Sequence, residues 1–409
     1  MRYVLHADLN NFYASVECLS DEALVGVPVV VCGRVEDRHG VVLAKNLIAK
    51  KLGIKTGMTL LEAKRLAPDL VAREARHDVY LKYSKAVKDI YREYTDRVES
   101  FGIDEALLYI SCIARSWEEA EEISNQIRER VKREIGLTIS VGVSFNKVFA
   151  KLGSDMKKPD AVTVISDSNY RQKVWGLPVE ELLYVGRATK KKLNDLTIKT
   201  IGDLACFDVK LLKSHLGKWG EVLHDYARGA DLGEVKKSCA HDEIKSVGNS
   251  LTYYRDIKDD EDVNALLLLL AESVTSRMID YGYSYARTIC LTIITNELHH
   301  ITRMETIPEP TNLSCVIASK AMELFKKNFS WSMGLVRGLG VSVTNFTNAD
   351  QMSLLDDYSN HKKLEKLERA VENLRMRFGR NVLKRGIVLK EKKMEELNIR
   401  DEHTVFPKM

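Results

Sequence analysis

Apolar and polar positions alternate in short blocks from the first residues onward. Residues 2–8 read as a short strand, with Val4, Leu5 and Ala7 as its apolar core. Residues 11 to about 20 place Phe12, Val16 and Leu19 on one helical face. Basic, partly helical material follows to about residue 76, through "AKNLIAKKLGIKTGM". "ESFGIDEALLYIS" (99–111) reads as a strand, a tight turn and a second strand. In residues 117–135, Ile123, Ile127, Val131 and Ile135 recur at i+4 spacing, which predicts a helix stopped by Gly136. "TISVGVS" (138–144) is a strand and "NKVFAKLGSDM" a helix, so this half predicts an α/β layer. Residues 167–232 are helical and Lys-rich, and 233–244 lack periodicity and read as a linker. Residues 245–345 mix strands such as "ARTICLTIIT" with helices over 263–280 and 313–327, a separate α/β unit. A polar stretch then leads to a charged helix over 361–378.

Composition narrows the class. At 409 residues the chain exceeds one ordinary core, so several domains are expected. The longest apolar run, Ala265 to Ala271, is too short to span a bilayer, and the N-terminus enters a strand without a signal-peptide pattern. Seven scattered cysteines without a CxxC pair predict reduced thiols in a cytoplasmic protein and no zinc module. A net charge of +4 is a weak pointer to an anionic partner.

Two features break the apolar pattern. Asp8 stands where a core strand hands over to a helix. Asp104 and Glu105 are adjacent carboxylates between Phe101 and Ile103 on one side and Ala106, Leu107 and Leu108 on the other. Neighbouring strand residues point to opposite faces, so the two converge only if the chain turns, which Gly102 permits. Taken alone, they read equally well as solvated turn residues. With Asp8 on the neighbouring strand, three carboxylates would meet at one sheet edge. Such a group repels itself unless a cation neutralises it, and an all-oxygen set suits Mg²⁺ or Mn²⁺. It can hold two ions about 3.5–4 Å apart for in-line phosphoryl transfer. The helix beginning near Asn11 would then aim its N-terminal amides at phosphate, with Asn10 or Asn11 as an ordinary cap.

"HADLNNFYASVE", "GIDEALL" and "SVGVSFNKVFAKLGSDMKKPD" together resemble the successive signatures of Y-family translesion DNA polymerases, the DinB or DNA polymerase IV type and its UmuC relatives. The resemblance implies an α/β (α+β) right-hand polymerase. Its parts would be a palm (1–10 and 77–166), fingers (11–76), a helical thumb (167–232), a linker (233–244), a little finger (245–345) and a tail (346–409). It implies low-fidelity, template-directed addition of dNTPs to a primer by a monomer with two Mg²⁺, in lesion bypass and DNA repair. Asp8, Asp104 and Glu105 match the metal carboxylates, and Leu9 matches the main-chain ligand. Phe12 and Tyr13 match the pair that meets the nucleotide, Tyr13 being the steric gate against a ribose 2′-OH. Lys158 and Lys50 match triphosphate contacts. The rival readings are a non-catalytic DNA-binding factor on the same fold and another palm enzyme such as a nucleotidyl cyclase.

Departures from the family pattern are local. Leu47 replaces a tyrosine, Lys50 an arginine, Gly102 a serine and Asn10 an aspartate. "LLYVGRATKKKLNDLTIKTIGDL" resembles the thumb helix-hairpin-helix, with Tyr184 at a usual glycine and Gly186 retained. "SVGNSLTYYRDI" and Arg303 resemble little-finger features that grip primer-template DNA. "QMSLLDD" resembles a sliding-clamp-binding peptide, with Gln351 as polar anchor and Met352, Leu354 and Leu355 as apolar plugs.

Overall fold

The computed structural model describes residues 1–33, 40–231, 233–238, 244–347, 358–379, 382–390 and 394. The chain divides into two compact units, Met1–His241 and Asp242–Val405.

In the first unit β1 (Val4–Leu9) is buried along its whole length and leads into α1 (Phe12–Ser20). Next come β2 (Val29–Cys32), β3 (Val42–Lys45), α2 (Leu47–Lys51), α3 (Leu60–Leu66) and β4 (Val71–Glu74). The chain continues through α4 (His77–Arg92), β5 (Val98–Ser100), β6 (Glu105–Tyr109) and α5 (Trp117–Ile135). It then forms β7 (Ile139–Ser144), α6 (Lys147–Met156) and β8 (Val162–Ile165). Five strands form a sheet in the order β5-β6-β1-β7-β8, with β1 central and antiparallel to both neighbours. Leu5, Ala7 and Leu108 face the core shared with α4 and α5, and Val4 and Leu107 face Ala150 of α6. A strand covered on both faces has no solvated side, which is why β1 reads as a nearly continuous apolar run.

The second, three-stranded sheet, β3-β2-β4, is absent from the sequence reading of residues 11–76 as basic and partly helical. Its strands are four residues each, too short to show a period. In α5, Gly136, at φ 81°, ends the helix as the sequence predicts, and Ser116 caps its start. Leu19 departs from expectation: it is exposed, lying over the Gly136 turn instead of continuing the buried face of Phe12 and Val16.

One contact sets the position of α6. A side chain at Gly142 of β7 would put its Cβ 1.9 Å from the Ala150 carbonyl and 2.4 Å from the Ser154 amide. Helix and strand therefore meet backbone to backbone, with Gly153 answering from the helix side.

The remaining helices of this unit are α7 (Tyr170–Val174), α8 (Arg187–Asp195), α9 (Ile201–Cys206), α10 (Val209–Leu216) and α11 (Lys218–Ala227). They share a core that includes Phe149, Val174, Leu193, Ile201, Leu212 and Leu223. Tyr184 sits in the left-handed region at φ 71°, a conformation that favours the glycine it replaces. Residues 233–238, predicted as linker, lie along the large sheet instead. Val235 is buried with Val4, Leu107 and Ala150. The Lys236 amide donates to Glu99 (3.0 Å), the Ser238 amide to the Asp96 carbonyl (2.9 Å), and Arg2 to the Gly233 carbonyl (2.6 Å).

The second unit contains β9 (Ser246–Ile257), α12 (Asp260–Asp280), β10 (Tyr285–Thr295), β11 (His300–Thr311), α13 (Ser314–Asn328), β12 (Val336–Thr347) and α14 (Tyr358–Phe378). Its antiparallel sheet runs β11-β10-β12-β9, with α12 and α13 packed into one core with it. The tail helix α14 docks onto α12 through Arg375 to Glu272 (3.1 Å) and Ser276 to Glu372 (2.5 Å). No helix among the described residues is long and apolar enough to cross a membrane. Gln351, Met352, Leu354 and Leu355 lie outside the described residues.

Candidate active site

The end of β1 and the start of β6 bring the three acidic residues together. Asp8 pairs with Glu105 in the antiparallel register, and the Leu9 amide donates to the Asp104 carbonyl (3.0 Å). The turn before β6 closes on itself, because the Phe101 and Gly102 amides both donate to the Glu105 carbonyl (3.1 and 3.2 Å). The carboxylates are thus fixed by strand pairing and turn geometry.

Their electrostatics show the strain of shared negative charge. Burial, and then the charges of Glu105 and Asp8, push the Asp104 carboxyl up to about 6. Burial also raises Asp8, although Lys158 and Lys151 oppose it. Glu105 goes the other way. Burial alone would raise it, but the His6 ring and Lys151 outweigh burial and hold it below the ordinary carboxylate range. Lys151 Nζ lies 2.7 Å from Glu105 and 3.4 Å from Asp8, and Lys158 Nζ lies 2.9 Å from Asp8. Asp155 receives both ammoniums, at 3.3 and 2.8 Å. Among the described residues no three acidic, His or Cys side chains converge as they stand on one cation position. The lysines occupy that role.

α1 starts without a side-chain cap: Asn11 holds the cap position at φ 49° and makes no capping bond. Asn10 is also not a cap, since its side chain is buried against Thr138 and Ser140 of the β7 side. The expected Asn cap therefore fails, and the first-turn amides receive no side-chain acceptor from it. Phe12 is buried in the sheet core. Tyr13 is half-buried and stacks on Tyr80 at 4.3 Å between ring centroids, 13° from parallel, with His77 edge-on at 5.9 Å. Burial, then the charge of Asp104, pushes its phenol up to about 12. Tyr80 is held in turn: its hydroxyl donates to Glu17 (2.6 Å), which a bidentate Arg76 grips at 3.0 and 2.7 Å. Lys50 is exposed on α2, near enough to Lys45 that its charge adds to burial in lowering that ammonium. Among the described residues Lys50 makes no hydrogen bond or ion pair with Asp8, Asp104 or Glu105.

Sequence reasoning missed Lys151, Glu17, Arg76 and Tyr80. Lys151 was findable: Lys147, Lys151 and Asp155 share one face of α6 at i+4 spacing. The others become neighbours only when α1 packs on α4.

Carboxylates at adjoining strand ends of a mixed sheet, beside a helix start and two lysines, are an arrangement suited to phosphoryl transfer. The comparisons make this specific. The profile of the impB/mucB/samB family matches residues 7–155, its C-terminal domain matches 244–354, and the DNA polymerase-iota thumb domain matches 181–231. The DNA polymerase IV of Acetivibrio thermocellus is 49% identical over 399 residues, covering 97% of this chain and 100% of the relative. That of Moorella thermoacetica is 36% identical over 388 residues, covering 94% and 96%. A Y-family DNA polymerase chimera shares the fold at a TM-score of 0.74, with 24% identity, over 84% of this chain and 99% of the other. The chain belongs to the DinB-like Y family of DNA polymerases.

Proposed function

We propose that the protein extends a DNA primer with dNTPs in translesion synthesis and DNA repair. The observation that supports this reading is that strand pairing puts Asp8, Asp104 and Glu105 at adjoining strand ends of one sheet. The donor chemistry fits a hard divalent cation: all the ligands are oxygen, and burial with the neighbouring charges of Glu105 and Asp8 raises Asp104. Asp8, Asp104, Glu105 and the Leu9 carbonyl would hold Mg²⁺, which when bound supplies activation of the primer 3′-OH and stabilisation of the leaving pyrophosphate. The chain's own residues do the rest. Lys158, paired with Asp8 here, would serve an incoming triphosphate as a point charge. The first-turn amides of α1, without a side-chain cap, would be free to receive the same phosphates. In this reading the large sheet with α4, α5 and α6 is the palm, β2–β4 with α2 and α3 the fingers, α7–α11 the thumb, and the second unit's sheet domain the little finger. Duplex binding then rests on phosphate contacts and weakens with salt. Primer extension with four dNTPs on damaged and undamaged templates tests the proposal, and a chain that binds DNA but never extends it would sink it.

Tyr13 is the proposed gate against ribonucleotides. Its ring is backed by Tyr80, so it cannot swing away to admit a 2′-OH. Tyr13→Ala is expected to raise the ratio of rNTP to dNTP incorporation by about tenfold or more, the scale of one steric exclusion. A proportional fall of both efficiencies identifies Tyr13 as packing only.

A sliding clamp is the proposed partner of Gln351, Met352, Leu354 and Leu355. Replacing Leu354 and Leu355 with alanine should leave basal extension unchanged and remove stimulation by the clamp, because a tether adds local concentration and no active-site contact. Stimulation that survives the double substitution excludes the tether.

A further inference from the structure

Lys88 is a buried lysine that the chemistry above does not use. It lies on α4, one helical turn after Ser84, and is only 4% exposed. Its Nζ donates to the Ser100 hydroxyl and to the Gly102 carbonyl, both at 2.7 Å. The Ser100 hydroxyl donates to the same Gly102 carbonyl at 3.1 Å, and Ser84 donates to the carbonyl of Ile103. Helix α4 therefore holds the turn at the Ser100 hydroxyl and the Gly102 and Ile103 carbonyls, while the Phe101 and Gly102 amides are taken by the Glu105 carbonyl. Both acceptors of Lys88, a hydroxyl and a carbonyl, are neutral. Burying an ammonium is costly, and neither acceptor is a carboxylate that would offset the cost as an ion pair. Burial accordingly lowers its pKa to about 8, with the charge of Asp104 opposing that shift.

Gly102 explains why the turn needs an outside hold. A Cβ there would meet Asp104 Oδ1 only at ordinary contact distance, 3.4 Å. Glycine removes any side chain that could tie the turn down from within, and it carries the largest conformational entropy of any residue.

We propose that Lys88 is a positioning residue for the metal-binding turn, its ammonium fixing the Ser100 hydroxyl and Gly102 carbonyl so that Asp104 and Glu105 leave the turn toward Asp8. The inference rests on the reading of those carboxylates as metal ligands. Residues that orient ligands from behind typically change metal affinity or activity by 10–100-fold when lost.

The test uses the full chain, with Mn²⁺ alone as the probe, followed by electron paramagnetic resonance, and primer extension alongside. Lys88→Met keeps the stem and removes the donors. It is expected to weaken Mn²⁺ binding by about tenfold and to lower kcat by a similar factor, with KM for dNTP unchanged. Ser100→Ala, a milder loss of the same contact, should fall between it and the parent. A lowered melting temperature with parental Mn²⁺ affinity and kcat would make Lys88 a packing residue and overturn the proposal. Tighter Mn²⁺ binding by Lys88→Met would overturn it too, since the lysine would then be a competing charge. If Lys88→Met does not fold, Ser100→Ala decides alone, and parental Mn²⁺ affinity in that variant rejects the inference. Asp104→Asn is the control for the underlying reading: if that variant keeps parental Mn²⁺ affinity, the ligand assignment has failed, and the role of Lys88 with it.

Discussion

Asp104→Asn is expected to abolish primer extension while making the metal-free protein more stable. The loss of rate should be about a thousandfold or more, because removing one oriented charge-stabilising contact already costs roughly 10²–10³ in rate. DNA binding should persist, since no duplex contact is assigned to this residue. The stability gain follows from linkage. The folded carboxyl titrates at about 6 against an ordinary 3.8, so the folded state holds the proton more tightly than the unfolded one. The ionised group therefore opposes folding fully above about pH 6, and its penalty shrinks as pH falls from there toward 3.8. Asparagine carries no such penalty. With chelator present, the variant should exceed the parent by roughly 1–3 kcal/mol at pH 7.5, with the gap closing near pH 4. Urea denaturation at the two pH values, beside a primer-extension gel, checks both halves. Retained extension refutes the metal assignment, and a gap independent of pH refutes the electrostatic account.

Gly142→Ala should be the most damaging methyl group that can be added to the large sheet. Its Cβ would fall 1.9 Å from a backbone carbonyl, which no rotamer change can relieve. Overpacking usually costs about 1–3 kcal/mol, and a clash with backbone lies at or beyond the upper end of that range. The functional effect should exceed the stability effect. α6 carries Lys147 to Glu99 (2.6 Å), Lys151 to Glu105 and Ser154 to His6 (2.8 Å), so pushing it outward withdraws all three at once. A soluble variant with parental melting temperature and parental extension would show that α6 is not held by this contact. Gly136→Ala would not substitute as a test, since its strain falls on the end of α5 and the Leu19 side chain and does not reach α6.

The parts of this protein legible in its sequence are those where one residue type has one physical use. Asp8, Asp104 and Glu105 stood out because ionised groups are expensive amid apolar neighbours, and the structure brings their backbones into adjoining strand ends. The long helices α5 and α12 and the strand β10 were legible because their periods extend over many residues. The β2–β4 sheet was not, because four-residue strands carry too few positions to show alternation. The Tyr13–Tyr80–Glu17–Arg76 array was not either. Its α1 and α4 partners, Glu17 with Arg76 and Tyr80 and Tyr13 with Tyr80, are separated by 59 to 67 positions in sequence, and nothing local marks them as partners. Asn11 misled for a subtler reason. Its residue type suits a cap, but its backbone adopts the left-handed conformation that asparagine also tolerates, and the side chain makes no capping bond.

The strap formed by residues 233–238 changes where the chain is best cut. A protease needs several consecutive residues free of the fold, and this lysine-containing stretch looks, by composition, like its natural target. Val235 is instead plugged beneath Val4 and Leu107, and the amides of Lys236 and Ser238 are tied to the sheet. Trypsin should therefore spare Lys236 and Lys237 for as long as β5 and β6 stay folded. A truncated polymerase half ending at residue 232 would leave an apolar slot open to water, whereas one ending at Ser238 carries its own plug.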